Sequence, residues 1–483
     1  MDFQLFDILG VIYFIAVVFV ILKIIVDSDS YVKSTSYILL ILLLPIVGIV
    51  IYLSFGINYR KREIYSKKLT LDKHQSKEIS AFITQYKRQN LTVLHRENPV
   101  FSVLSNMFSE NDINFATHQN EVKLLVNGEN KFPELLDALR NAKHHIHIEY
   151  YIYENDTIGN QIADILIDKA SQGVEVRFIY DDFGSHQIRK TVVPRVKANG
   201  VEAFPFYKIR FVYLANRLNY RNHRKIAVID GEVAFVGGIN VSDKYINNGK
   251  NTLFWRDTHI QIRGEAVWSM QNIFMADWNF CSGDNLKPTP DYFKQHYHVK
   301  KRTWTQIVSS GPDSVVPNIL YSYLQAIYLA KEYVYITTPY FIPGTALLRA
   351  LNMAVMRGVK VKLLIPGISD SFLVNTVSKS HYAGLLESGI EVHMYQKGFV
   401  HAKTMVVDDY FTVIGTANLD NRSFEFNFEV NAMVYDTEMA TELRDVFLQD
   451  LNDAEKIDIE VWNNRHFFRK LLEKVLRFIA PLM

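Results

Sequence analysis

The sequence predicts an α/β protein of two similar halves, preceded by a hairpin of two membrane-spanning helices. Three observations carry that expectation. Two long apolar stretches occupy residues 8–26 and 37–56, a strand-helix-strand pattern occurs twice further on, and short β-branched and aromatic runs alternate with helical stretches in each copy.

The stretches "ILGVIYFIAVVFVILKIIV" (8–26) and "YILLILLLPIVGIVIYLSFG" (37–56) each match the roughly 20 apolar residues that a bilayer crossing needs. Lys23 lies near the end of the first, where its stem can snorkel to the interface. The start "MDFQLFD" is acidic and no small-X-small site follows, which argues against a cleaved signal peptide. "DSDSYVKSTS" between the stretches holds one lysine, whereas "YRKREIYSKK" after them holds Arg60, Lys61, Arg62, Lys67 and Lys68. The positive-inside rule therefore places the rest of the chain in the cytoplasm and returns the N-terminus to the same side. The expected divisions are the hairpin at 1–56, a basic helical linker at 57–120, the halves at 121–300 and 301–460, and a tail at 461–483.

With 483 residues, 48% of them hydrophobic, the chain can fill the cores of both halves. A net charge of +2 gives no global field that selects nucleic acid. The single cysteine, Cys281, excludes an internal disulfide and a cysteine-rich metal site.

The halves are legible as a repeat. "AKHHIHIEYYIYENDTIGNQIADILIDKASQGVEVRFIY" (142–180) corresponds to "AKEYVYITTPYFIPGTALLRALNMAVMRGVKVKLLI" (330–365), and "ANGVEAFPF" (198–206) to "ESGIEVHMY" (387–395). Each half then reads strand, helix, strand, helix, strand and a histidine-bearing strand, a pattern that favours a largely parallel sheet. Two such halves packed face to face about a pseudo-twofold axis would bring the two histidine segments into one cleft.

Those segments carry the chemistry. His223-Arg-Lys225 is followed by Asp230, and His401-Ala-Lys403 by Asp408, with identical spacing. On a strand, alternation points histidine and lysine to one face. Gly237, Gly238 and Asn240 follow the first copy, and Gly415, Thr416 and Asn418 the second. Glycines admit a ligand close to the backbone, lysine and asparagine donate to phosphate oxygens, and histidine serves as nucleophile, acid or base near neutral pH. A lone H-X-K means little; two copies in a duplicated chain point to one reaction that needs two histidines.

With its paired H-X-K-X4-D motifs the sequence resembles the phospholipase D superfamily. "NYRNHRKIAVIDGEVAFVGGINVSDKYI", "WRDTH", "HAKTMVVDD", "GTANLDNRSFEFNFEV" and the two apolar stretches resemble, more narrowly, the two-spanning cardiolipin synthases of bacteria. The resemblance implies two stacked phospholipase D-like α/β sandwich domains in the bacterial cell membrane. It further implies that two phosphatidylglycerol molecules condense to cardiolipin and glycerol through a phosphatidyl-histidine, with no cofactor and no metal. It makes His223 the nucleophile and His401 the acid and base, an assignment that the twofold symmetry of the motifs leaves open in the residues themselves, and has Asp257 and Glu429 orient the histidines. Lys225, Lys403, Asn240 and Asn418 would neutralise charge on the phosphoryl oxygens. Thr416 keeps a hydroxyl where the family often has serine. Asp230 and Asp408 complete the catalytic motifs, with strand-end hydrogen bonding as their expected role. The rival readings are a hydrolytic phospholipase D or phosphodiesterase, and a silent lipid-binding scaffold; the hairpin argues against a nucleic-acid substrate.

Other signals are weaker. "HHIH" (144–147) has no cysteine or carboxylate cluster beside it, so a structural role is expected over zinc. Lys208, Arg210, Arg217, Arg221 and Arg224 interleave with aromatics over 207–225, a pattern suited to anionic lipid headgroups. In the tail, Leu471, Leu472, Val475, Leu476 and Ile479 share a helical face opposed by Arg469, Lys470, Lys474 and Arg477. That face fits either the membrane interface or the protein's own core.

Overall fold

The computed structural model describes residues 2–27, 31–52, 92–97, 99–108, 115–207, 220–249, 253–294, 299–314 and 316–482. Most of the expected linker, the basic run from Arg60 to Lys68, and Lys208, Arg210 and Arg217 lie outside the described residues.

Two sheets of matching design form the body. The first runs, from edge to edge, Asn120–Val126, Thr258–Gly264, Val233–Gly237, Lys225–Ile229, His145–Tyr150, Glu175–Tyr180 and Glu202–Pro205. The second runs Trp304–Ser310, Glu429–Tyr435, Phe411–Gly415, Thr404–Val407, Tyr333–Thr337, Lys360–Pro366 and Glu391–Tyr395, with Ala454–Lys456 added at its edge. Strand for strand, order and direction agree between the two. The repeat read in the sequence is therefore a repeat of the complete sheet.

The expectation of largely parallel sheets fails. Only the last three strands of the shared set, those joined by helices, run parallel to each other; the remaining pairings are antiparallel. The reason lies in the connections, because a parallel pair needs a long crossover whereas a tight turn reverses the chain. Lys225–Ile229 turns into Val233–Gly237 through Asp230 (φ 54°) and Gly231 (φ 60°), and Thr404–Val407 into Phe411–Gly415 through Asp408 (φ 50°) and Asp409 (φ 54°). Two successive left-handed residues make the hairpin turn that Asp-Gly favours. The H-X-K histidines also differ from expectation, since each stands just before its strand rather than in it.

Ile226, Val228, Val236, Ile260 and Ile262 of the first sheet share one buried apolar cluster with Ile307, Val406, Ile414, Val430 and Val434 of the second. The halves thus pack face to face, as the pseudo-twofold reading expects. Helices Asn127–Arg140, Thr157–Ser171 and Val192–Ala198 cover the outer side of the first sheet, and Asn318–Leu329, Thr345–Met356 and Phe372–Glu387 that of the second.

At the N-terminus, helix Asp2–Asp27 packs with Tyr31–Leu43 and Pro45–Ile51 through Val20, Ile24, Tyr37, Ile41 and Tyr52. The second apolar stretch is not the single helix expected over 37–56. Pro45 lacks an amide hydrogen and disfavours helical backbone before it, so Leu44 sits at φ −138°, ψ 74° and splits the segment. Residues 53–56 and several side chains of the first helix lie outside the described residues, and among the described residues no helix is long and apolar enough to cross a membrane.

Candidate active site

The two histidine segments meet where the sheets pack, and the backbone explains how. Asn222 bridges Phe428 in parallel, with the His223 amide donating to the Phe428 carbonyl at 2.9 Å. In the mirror position, Gly398–Val400 pairs in parallel with Phe254–Arg256, and the His401 amide donates to the Arg256 carbonyl at 2.7 Å. Each histidine is thereby registered against the residue after its backbone partner, which is a carboxylate from the opposite half. His223 Nδ1 lies 2.9 Å from Glu429, and His401 Nδ1 lies 2.7 Å from Asp257 Oδ2.

This cross-pairing fixes the protons. A carboxylate on Nδ1 holds the hydrogen there and leaves the Nε2 lone pair as the free nucleophilic and basic position. Both rings are buried, and each feels the charges of both lysines. Burial keeps His223 neutral down to about 4 against the pull of Glu429, and pushes His401 well below its ordinary value, helped by Lys403 and Lys225. Burial raises Asp257 to about 6, although Lys403 opposes it. For Glu429 burial is outweighed by His223 and Lys225, so its carboxyl is held below the ordinary range.

Lys225 Nζ donates to the His223 carbonyl at 2.7 Å, and Lys403 Nζ donates to the His401 carbonyl. Burial lowers Lys225 to about 7 and Lys403 to about 8, while Glu429 and Asp257 hold them up. Two buried ammoniums beside two neutral imidazoles suit an anion with one tetrahedral centre, since a phosphodiester would replace the water each cation has lost.

The remaining expected residues divide. Thr416 Oγ1 donates to Glu429 at 2.5 Å, and Asn427 Nδ2 donates to the other oxygen at 3.1 Å, so Glu429 is fully clamped. Asn418 is buried with its Oδ1 unmatched, whereas Asn240 spends its Nδ2 on Tyr245 Oη at 2.8 Å and its Oδ1 on the Ile152 amide at 3.1 Å. Asn240 thus shapes the turn. Asp230 and Asp408 sit at the far ends of their strands. Asp230 accepts from the amides of Lys143, His144 and His145, and Asp408 from those of Lys331, Glu332 and Tyr333. Their carboxylates tie strands together and do not reach the cleft.

Arg221 and Arg224, read from the sequence as headgroup contacts, are instead buried. Arg224 pairs with Asp277 and reaches the Glu429 carbonyl, and Arg221 lies over the Phe183 ring at 4.3 Å with Asp181 nearby. His145 Nε2 and His147 Nδ1 both engage Gln271, at 3.1 and 2.8 Å, and His147 Nε2 meets Arg177 at 3.1 Å, which occupies those rings structurally.

Sequence reasoning passed over several supports. Arg256 is gripped by Asp450 at 2.9 Å and donates to the Asp257 carbonyl at 2.7 Å. Lys131 is buried and donates to the Ile239 carbonyl at 2.9 Å, beside Asn240. Tyr151 packs on His223, and Trp255 and Phe399 on His401, at ring distances of 4.8, 5.7 and 5.6 Å. The basic and aromatic types were visible, but nothing local marked them as neighbours of the motifs.

Comparison with known proteins finds relatives of both halves. The family described as cardiolipin synthase, PLD-like domain, matches residues 135–278 and 323–451, one match per half. Cardiolipin synthase 2 of Bacillus anthracis is 39% identical over 458 residues, covering 93% of this chain and 87% of the relative. The cardiolipin synthase of Oceanobacillus iheyensis is 36% identical over 480 residues, covering 98% of each. Among solved structures, phosphatidylserine synthase of Haemophilus influenzae shares the fold, with a TM-score of 0.60 at 13% identity, over 78% of this chain and 97% of that one. Two matched phospholipase D-like halves and relatives of this identity over nearly the whole length make the chain a member of the cardiolipin synthase family.

Proposed function

We propose that the chain is a cardiolipin synthase that works on the cytoplasmic leaflet of the bacterial cell membrane, anchored there by a hairpin over 1–56. The observation that carries the reading is the crossed pair His223–Glu429 and His401–Asp257, with Lys225 and Lys403 between them.

His223 Nε2 attacks the phosphorus of one phosphatidylglycerol, and the bond to its head-group glycerol breaks. His401 gives the departing oxygen a proton, releasing glycerol and leaving a phosphatidyl-histidine. A bound phosphodiester anion favours the protonated ring that this step needs. His401, now neutral, takes the proton from a glycerol hydroxyl of a second phosphatidylglycerol. That oxygen attacks the same phosphorus, the P–N bond breaks, and cardiolipin leaves. One phosphodiester replaces another, so no nucleotide is consumed.

The halves at 121–300 and 301–460 each supply one histidine and one carboxylate, so neither is complete alone. Lys225, Lys403 and Asn418 hold the phosphoryl oxygens; Asn240, Thr416, Asp230 and Asp408 keep their neighbours in place. The test is incubation of purified chain with phosphatidylglycerol alone. Cardiolipin and glycerol in equal amounts support the reading; phosphatidic acid without cardiolipin means hydrolysis and refutes it.

A further inference from the structure

The C-terminal tail settles against the protein on one side only. Helix Phe467–Leu476 packs on helix Phe372–Glu387, with Glu473 facing inward and both its oxygens bonded by Arg465 at 2.8 and 3.0 Å. Leu476 and Ala480 complete the packed side against Ile342 and Val377. On a helix, 468, 471 and 475 fall opposite 473, and 472 borders them. They stand in the open: Phe468 is 69% exposed, Leu471 44%, Leu472 43% and Val475 52%. Of the face expected to be apolar, Leu471, Leu472 and Val475 are therefore uncovered and Leu476 is packed, while the helix's one acidic residue is turned inward and neutralised.

Three features say what covers it. First, Arg469, Lys474 and Arg477 are exposed on the same short helix and its extension, so the strip is flanked by cations with no outward-facing acid. Second, the strip continues into the segment Arg477–Leu482, which packs on helix Tyr31–Leu43 with its exposed Leu42 and Leu43. Third, the strip adjoins the site. Phe372, 75% exposed, and Leu373 open the helix on which the tail packs, two residues after Asp370. Asp370 accepts from Tyr340 Oη at 2.7 Å, Tyr340 meets the Phe399 ring, Phe399 meets His401, and the Asp370 charge reaches Lys403.

We propose that the apolar strip of helix Phe467–Leu476, together with Phe372 and Leu373, beds into the headgroup layer of an anionic bilayer and sets the rim of the His401 side of the site against the lipid. An apolar face edged by Lys and Arg is the pattern of a helix lying in the membrane interface. The inference rests on the reading that the substrate is drawn from a bilayer. A substrate lifted from the leaflet then enters beside Tyr340 and Phe399.

The experiment uses the full chain in vesicles of phosphatidylglycerol and phosphatidylethanolamine. In a Cys281→Ser background, which removes the single native thiol, Val475→Cys carries a spin label, with exposed Gln172→Cys as the reference. The Val475 label is expected to collide more with dissolved oxygen than with a water-soluble nickel chelate, and the Gln172 label the reverse. A Val475 label open to nickel overturns the proposal, and one shielded from both reagents means a protein partner or second copy and also overturns it. Separately, Leu472→Glu with Val475→Glu should lower cardiolipin synthesis on vesicles by about tenfold or more, the scale of two lost apolar side chains, and leave turnover of monomeric short-chain phosphatidylglycerol unchanged. Equal vesicle rates would overturn it. If unaltered protein makes no cardiolipin from either substrate, the functional reading fails instead, while the label still reports docking.

Discussion

The two buried lysines make the pH dependence of the reaction the sharpest test of the site. Burial lowers Lys225 to about 7 and Lys403 to about 8, and raises Asp257 to about 6. Since kcat/KM reports the free enzyme, its rise toward acid, which follows protonation of His401, should level off near 6, where Asp257 gains a proton and ceases to hold His401 Nδ1–H. On the alkaline side it falls as the ammoniums needed for the phosphate are lost. Between pH 7 and pH 9 the protonated fraction drops about 50-fold at Lys225 and about 10-fold at Lys403, so the product falls roughly 500-fold if both are required. In the Michaelis complex the phosphodiester anion favours both ammoniums. At about 4 Å and an effective dielectric near 20, the attraction is some 4 kcal/mol, enough to move the kcat limb up by a unit or more. The assay is cardiolipin formation in mixed micelles from pH 5.5 to 9.5, with kcat and KM resolved. The proton that His401 must donate contributes a slope of −1 of its own, because its ring is neutral in the free enzyme. A log(kcat/KM) that falls no more steeply than −1 to pH 9.5 refutes the claim that two depressed lysines carry the phosphate, and a limiting slope of −2 rather than −3 means that only one does.

Further substitutions separate chemistry from support. Glu429→Gln keeps the shape but can present an amide to His223 Nδ1 and strip the ring of its tautomer, so kcat should fall by about 100-fold to 10,000-fold at unchanged melting temperature. Asp408→Ala deletes three backbone hydrogen bonds to a carboxylate, an expected loss of about 3 kcal/mol. That corresponds to a fall of roughly 6–12 °C in thermal unfolding of a half of this size, with turnover per folded molecule kept within about tenfold. Gly238→Ala places a methyl against the Asp257 carboxylate, so the loss should match that of Asp257→Ala, and the pair should be far from additive in a double-mutant cycle. With a p-nitrophenyl phosphodiester, whose leaving group needs no proton, His401→Ala should still form the covalent intermediate by acid-quench labelling, and His223→Ala should not.

How much of this was written in the sequence depends on the reach of each signal. The duplication and the H-X-K-X4-D spacing are local patterns, and they led directly to paired sheets, face-to-face halves and a shared site. Strand direction was also local, because Asp230-Gly231 is a hairpin turn, although the longer helical crossovers dominate the pattern. Pro45 likewise announced the break in the second apolar stretch. The crossing of the carboxylates was not local. It depends on a three-residue pairing between Phe254–Arg256 and Gly398–Val400 and on a single bridge from Asn222 to Phe428, and runs that short carry no periodicity. The buried positions of Arg221 and Arg224 were lost because composition alone cannot tell a cation facing solvent from one facing Asp277.

The two halves are equivalent in outline and unequal in the group behind each histidine, and that inequality bears on which ring attacks the phosphorus. Glu429 reaches His223 with one more methylene than Asp257 has for His401, and Thr416 stands where the other half has Gly238, beside which the Asp257 carboxylate takes the space. A side chain at Gly238 would collide with Asp257, so the shorter acid and the glycine go together, as do the longer acid and the threonine. The consequence is electrostatic. Glu429, with hydrogen bonds from His223, Thr416 and Asn427, remains ionised, while Asp257 is raised to about 6 and holds its charge less firmly. A ring that becomes bonded to phosphorus acquires positive charge and keeps it through the lifetime of the intermediate, so it gains most from the carboxylate that stays anionic. A ring that only shuttles a proton gains from a partner whose own affinity for protons lies close to working pH, since neither of its states is then strongly favoured. The fold thus repeats one design twice, and its two copies differ by one methylene and one hydroxyl.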